Sequence, residues 1–284
     1  MSRSRPPAHI IIMAHNATTT TTTPQPLSLE EVLHIYLLCF EAAADALPQD
    51  PVAYAVPCSH PDVPVRIWQI WTCKDLERGP PKHFDLLRWQ PARLHEALAR
   101  KDMCEFFCWL LEQEVSDKVG ELFGGTTLWL ISRPKINFLL ASRGAKNQLN
   151  IPFHSVLLVQ TADGQEMVMD GTLRQYLWAP STWLQTMAQW EDKRIDKSHE
   201  GQSYGFAPSA YKEDMESGAL EADMGFWVVI RKRMTELFEE LDWEELKDLE
   251  AGERVECVKR MAQHKFAGSW EEACDLYQKS QEGN

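Results

Sequence analysis

The sequence predicts an α+β fold, with helices at both ends and a block of antiparallel strands between them. Three observations carry that prediction. SLEEVLHIYLLCFEAAADAL sets Ser28 three residues before Glu31 at the head of an amphipathic run, the signature of a capping box at a helix start. TLWLIS, FHSVLLVQ and QEMVMDGT are apolar runs of strand length, and TADGQ (161–165) between the last two reads as a tight turn. The stretch 224–284, with MTELFEELDWEELKDLEAG and SWEEACDLYQK, alternates apolar and acidic positions at helical spacing.

The elements follow in chain order. Residues 1–26 contain the Thr18–Thr23 run and several prolines, a composition that builds no packed core, so a disordered tail is expected there. Arg3 and Arg5 without an acid faintly suggest a transit peptide, while HIIIMA is too short for a secretory core. The span 48–64 is proline-rich and reads as irregular, VRIWQIWTC (65–73) reads as a strand, GPPKHF as a loop, and RWQPARLHEALAR as a short helix starting near Pro91. In KDMCEFFCWLLEQEVSDKVGELFGG, Met103, Phe106, Phe107, Leu110, Leu111, Val115, Val119 and Leu122 recur at helical spacing, and Gly124–Gly125 supplies the stop. TWLQTMAQW reads as helical, and the polar span 192–220 as a long loop or lid. The division expected is a tail (1–26), a main domain with a helical N-terminal extension (27–223) and a helical acidic appendage (224–284).

Composition narrows the function classes. The 284 residues are enough to bury a core, and 29 Lys+Arg against 42 Asp+Glu give a formal net charge of −13. Attraction to a phosphate backbone or an anionic membrane depends on clustered basic residues, so neither is expected as the main partner. The acidic C-terminal helices read mainly as a solvated face, with a basic protein partner as the alternative. The seven cysteines contain no CxxC pair, which fits neither a disulfide framework nor a zinc site and points to a reducing, cytoplasmic setting. His34, His60, His83, His95, His199 and His264 show no metal-ligand spacing, and neither GxGxxG nor a P-loop is present.

One constellation carries chemistry. His154 opens the FHSVLLVQ strand and Asp170 ends the QEMVMDGT strand, so a hairpin through TADGQ sets them across from one another. An aspartate there accepts from one imidazole nitrogen and leaves the other free to act on a thiol. Cys104 is the first candidate thiol: with Asp102 as N-cap it falls in the first helical turn, where unpaired N–H groups and the helix dipole favour a thiolate. Cys108, one turn further along and followed by Trp109, is the alternative nucleophile. A lone histidine at a strand start is more often structural, and an Asp before Gly-Thr is normally a turn residue. The order of all three groups favours the chemical reading. Asn137, Asn147, Gln148 and Asn150 precede His154 without specific spacing.

Helix-borne Cys, HSVLLV and VMDGTLRQY resemble the transglutaminase-like branch of the papain-like superfamily, and MDGTLRQY resembles its D-x-T-x-x-Q motif. The His and Asp strands are also similar to those of arylamine N-acetyltransferases. The resemblance spans about residues 100–190 and departs before the cysteine, where no G-x-C or RGGxC stands. It implies a papain-like core, with a nucleophile helix packed on an antiparallel sheet. It assigns Cys104 or Cys108 as nucleophile, His154 as base and Asp170 as orienting acid; Thr172 and Gln175 match motif positions and support the strand end. The chemistry it implies is cysteine-dependent acyl transfer through a thioester, resolved by water or by an amine, with no metal or organic cofactor. Backbone N–H groups at the start of the Cys104 helix are the expected oxyanion donors. The expected partner is a peptide amide or a small-molecule acyl donor. The alternatives are an amide-bond-forming acyltransferase of small-molecule biosynthesis and a non-catalytic binding module.

Overall fold

Ser28 starts the first helix in the way its spacing to Glu31 predicts. Its side chain accepts from the Glu31 N–H, and its own N–H donates to the Glu31 carboxylate at 2.9 Å. The computed structural model describes residues 26–49, 52–60, 63–72, 94–142, 153–198 and 203–282. The expected tail up to residue 25, the loop GPPKHF, Pro91, and Asn147, Gln148 and Asn150 lie outside the described residues.

The chain runs α1 (Leu29–Asp45), β1 (Val52–His60), β2 (Val63–Thr72), α2 (Leu94–Leu98), α3 (Cys104–Phe123), β3 (Thr126–Ser132), β4 (Phe138–Ser142), β5 (His154–Gln160) and β6 (Glu166–Met169). It continues through β7 (Leu184–Thr186), α4 (Met187–Arg194), β8 (Tyr204–Phe206) and α5 (Ser209–Glu221). It ends in α6 (Phe226–Glu240), α7 (Trp243–Asp248), α8 (Ala251–Phe266) and α9 (Ser269–Glu282). The fold is α+β. Strands β7-β6-β5-β3-β8 form a five-stranded sheet with every neighbouring pair antiparallel. A second sheet has the order β1-β2-β4, with β2 antiparallel to β1 and parallel to β4.

The five-stranded sheet is covered on both faces, and period-two alternation sorts its side chains between them. Trp129, Leu157, Val159 and Met169 join the main core with Phe107, Leu111, Val115 and Val119 of α3 and the apolar residues of α1. Leu130, Val156, Leu158 and Val168 pack instead with Trp190 of α4 and Ile195. Double coverage explains why β5 reads as an unbroken apolar run rather than an alternating one. The C-terminal helices enter the same main core: Phe226, Trp227 and Ile230 of α6 and Val258 and Phe266 of α8 are buried beside α1 and α3. Arg254 of α8 donates to Glu31 at 2.5 Å across 223 residues of sequence. The Ser28 N–H and that guanidinium hold the Glu31 carboxyl down at about 2. Some of the acidic residues of these helices are in ion pairs, Arg233 with Glu272 at 2.5 Å and Lys265 with Glu240 at 2.7 Å among them. Among the described residues no helix is long and apolar enough to cross a membrane.

Several local expectations are corrected. The span 48–64 is not irregular throughout, because β1 occupies Val52–His60; Pro57 is tolerated since β1 is an edge strand and the proline is exposed. FLLAS (138–142) is a strand that the periodicity does not announce, being short and buried. TWLQTMAQW splits into β7 and α4, with Thr186 making a capping box to Gln189. The span 192–220 is not one long loop: it holds the end of α4, β8 and most of α5. Helix α5 escapes the periodicity test because only Ala219 among its residues is buried. Leu122, expected in the α3 stripe, is 46% exposed near the helix end.

Candidate active site

Helix α3 begins one residue later than an Asp102 cap requires. Asp102 takes a left-handed conformation (φ 60°), a region that Asp tolerates better than most residues, and pairs with Lys101. Met103 is the N-cap and its side chain makes no capping bond, so Cys104 is the first helical residue. The thiol still sits in the first turn. Gly124, at φ 63°, closes the other end of the helix in the left-handed conformation that glycine adopts without strain.

His154 and Asp170 do not occupy directly paired positions. The β5–β6 ladder ends at Leu157↔Met169, so the extended register sets Asp170 one step further, against Val156, and His154 is its diagonal neighbour. The two side chains still meet: Nε2 of His154 lies 2.8 Å from Oδ2 of Asp170. The other carboxylate oxygen accepts the Thr172 N–H at 2.9 Å, and the Asp170 N–H donates to the Trp183 carbonyl at 2.8 Å. Gly171 is required at this corner because a Cβ there would stand 2.4 Å from the Phe107 ring, which is itself buried edge-on to Phe40. The turn after β6 therefore presses directly on α3.

The D-x-T-x-x-Q spacing now has a physical content. Thr172 supports the carboxylate, and the 3₁₀ turn over Leu173–Tyr176 brings Gln175 back to the imidazole. The Gln175 amide nitrogen lies 3.2 Å from Nδ1 of His154 and 3.1 Å from the Thr172 hydroxyl. A neutral imidazole accepts from that amide; an imidazolium needs the amide oxygen turned into the same place. The Cys104 thiol is also close enough to the imidazole to strengthen its hold on a proton. Cys104, His154, Asp170, Thr172 and Gln175 are thus brought together, and all five are buried.

Electrostatics separate the two thiols. Burial opposes a charge on His154, but the Asp170 carboxylate beside it, its hydrogen bond and the Cys104 thiol outweigh burial and raise the imidazole to about 10. The ring therefore carries its proton at neutral pH. Cys108 is 0% exposed among the apolar residues of the main core. Burial, then the neighbouring Cys104, pushes its thiol well above the ordinary range, so it stays protonated.

Two aromatic side chains escaped the sequence reading. Tyr176 and Trp178 meet the His154 ring edge-on, at centroid distances of 5.1 and 5.6 Å, and Arg194 lies over Trp178 at 4.3 Å. Their signal was their place one and three residues after Gln175, which has meaning only once Gln175 is known to reach the imidazole. Beyond them Ile67 of β2 and Leu139 and Ala141 of β4 close a separate apolar cluster over the site. A small crevice lined by Lys101, Asp102, Phe138, Gln175 and Tyr176 lies beside the start of α3. Asn137, which precedes β4, points to solvent. Among the described residues no group of three His, Cys, Asp or Glu side chains is arranged to hold a metal ion.

No protein-family model, curated protein or solved structure matches this chain.

Proposed function

We propose that the chain is a cysteine-dependent acyl-transfer enzyme of the transglutaminase-like type, with Cys104 as nucleophile, His154 as acid–base and Asp170 as the residue that orients His154. The observation that carries this reading is a fully buried imidazole held at 2.8 Å by one carboxylate, with a buried thiol at the start of a helix as its electrostatic neighbour. A papain-like core is the arrangement this reading expects, with α3 as the nucleophile helix on the five-stranded antiparallel sheet.

The chemistry follows from the contacts. The Cys104 sulfur adds to an amide or ester carbonyl carbon, and the carbonyl electron pair moves to oxygen. Collapse of that adduct expels the amine or alcohol, which takes the proton held by His154. The resulting thioester is resolved by water or by an amine, with His154 now accepting the proton. Asp170 fixes the ring through Nε2, much as the third group does in other triads. The backbone N–H of Cys104, at the first helical position, has no partner within the helix and is the main-chain donor this reading assigns to the developing oxyanion.

One observation favours an amine over water as the final acceptor. Tyr176, Trp178 and the β2–β4 cluster leave little room for bulk solvent at the thiol, and a dry site protects a thioester from hydrolysis. Competition between water and added amines for the acyl group distinguishes a hydrolase from a transferase.

The test of the reading is alkylation. Iodoacetamide at pH 7 is expected to modify Cys104 faster than every other cysteine in the folded chain, as mapped by peptide mass spectrometry. Replacing His154 by alanine is expected to slow that modification roughly 100-fold. Equal modification of Cys104 with and without the imidazole refutes the mechanism.

A further inference from the structure

Tyr176 presents a hydroxyl that the folded chain leaves unused. The residue is 6% exposed, and its hydroxyl has no hydrogen-bond partner among the described residues. A buried hydroxyl without a partner costs stability, on the order of 1–3 kcal/mol, and such groups are rare in native cores unless something else fills the vacancy. Its ring is held rigidly, edge-on to His154 at 5.1 Å and tilted against Trp178 at 4.8 Å. It also lines a small crevice beside Lys101 and Asp102 at the head of α3.

The other donors nearby are already engaged. The Gln175 amide is held by Nδ1 and the Thr172 hydroxyl, its oxygen accepting from the protonated ring, and the Thr172 N–H is spent on Asp170. Burial first, then the neighbouring Cys104 and Asp170, opposes ionisation of Tyr176, so its hydroxyl remains a donor at any working pH. A neutral, unspent O–H on a ring packed edge-on against the catalytic imidazole suits one task, which is donating to a carbonyl oxygen that gains negative charge.

We propose that the Tyr176 hydroxyl is the side-chain oxyanion donor of this site, paired with the Cys104 backbone N–H, and that it selects planar acyl substrates with a carbonyl oxygen over other electrophiles. This rests on the acyl-transfer reading above.

Two probes separate the donor from the nucleophile. Iodoacetamide alkylates a thiolate by displacing iodide, and no oxyanion forms. p-Nitrophenyl acetate acylates it: sulfur bonds to the carbonyl carbon and the carbonyl oxygen takes the π pair, then returns it to re-form the carbonyl as p-nitrophenolate leaves with the C–O bonding pair. Water then cleaves the thioester to acetate and restores the thiol. In Tyr176→Phe the ring packing is kept and the unpartnered hydroxyl is removed, so the melting temperature is expected to stay level or rise. Its alkylation rate is expected to equal that of the unmodified chain, while its acylation burst slows roughly 100-fold.

Equal acylation rates in the two chains overturn the inference and leave the acyl-transfer reading intact. An equal slowing of alkylation and acylation also overturns it, because Tyr176 would then act on the thiol rather than on the oxyanion. If the unmodified chain is neither alkylated at Cys104 nor acylated, the reading underneath fails, and the role for Tyr176 with it.

Discussion

His154 holds a proton where burial alone would strip it, and the pH dependence of stability reports that directly. The folded imidazole binds its proton more tightly than the unfolded one. Its contribution to stability is therefore complete below about pH 6.5 and is lost as pH rises through the folded value of about 10. The thermal midpoint of the native chain is expected to exceed that of Asp170→Asn most at pH 6, with the gap narrowing by pH 10. A gap that widens with pH contradicts the assignment. Asp170→Asn is also expected to slow iodoacetamide modification of Cys104 roughly 100-fold, because the amide keeps the shape of the contact and loses its charge. Cys108→Ala separates the two thiols. It should leave the alkylation rate unchanged and cost about 1 kcal/mol in urea denaturation through the small cavity it opens.

At the scale of elements, the turn after β6 is where fold and site depend on one another. Gly171→Ala forces a Cβ into the Phe107 ring, and Phe107 cannot yield because Phe40 backs it at a centroid distance of 5.0 Å. The expected cost is about 1–3 kcal/mol of stability by urea denaturation. Slower labelling of Cys104 should accompany it as Asp170 is displaced. Elements with a local chemical signature could be read in the sequence. The capping box of α1, the apolar stripe and glycine stop of α3, and the TADGQ turn between β5 and β6 each depend on neighbours within a few residues. Elements defined by distant partners could not. β4 is a strand because β2 lies alongside it, and β1 keeps Pro57 because no strand lies on its outer side. The site divides in the same way. The sixteen-residue interval between His154 and Asp170 announced their proximity, whereas the diagonal offset and the aromatic cover from Tyr176 and Trp178 depend on register and on a 3₁₀ turn.

At the scale of the whole molecule, the acidic C-terminal helices supply part of the core. Trp227 is 0% exposed and stacks on Phe106 of α3 at a centroid distance of 4.5 Å, so it is packed against the helix that carries Cys104. Trp227→Ala is expected to cost about 3–5 kcal/mol in chemical denaturation. A stable variant with an intact unfolding transition would show that the C-terminal helices are dispensable to this core.

The ion pair between Arg254 and Glu31 has a consequence for biosynthesis. Helix α1 completes its contacts only once α8, whose Arg254 lies 223 residues beyond Glu31, has been made. Nascent chains stalled at residue 223 should therefore leave α1 open to protease, and release of the finished polypeptide should protect it.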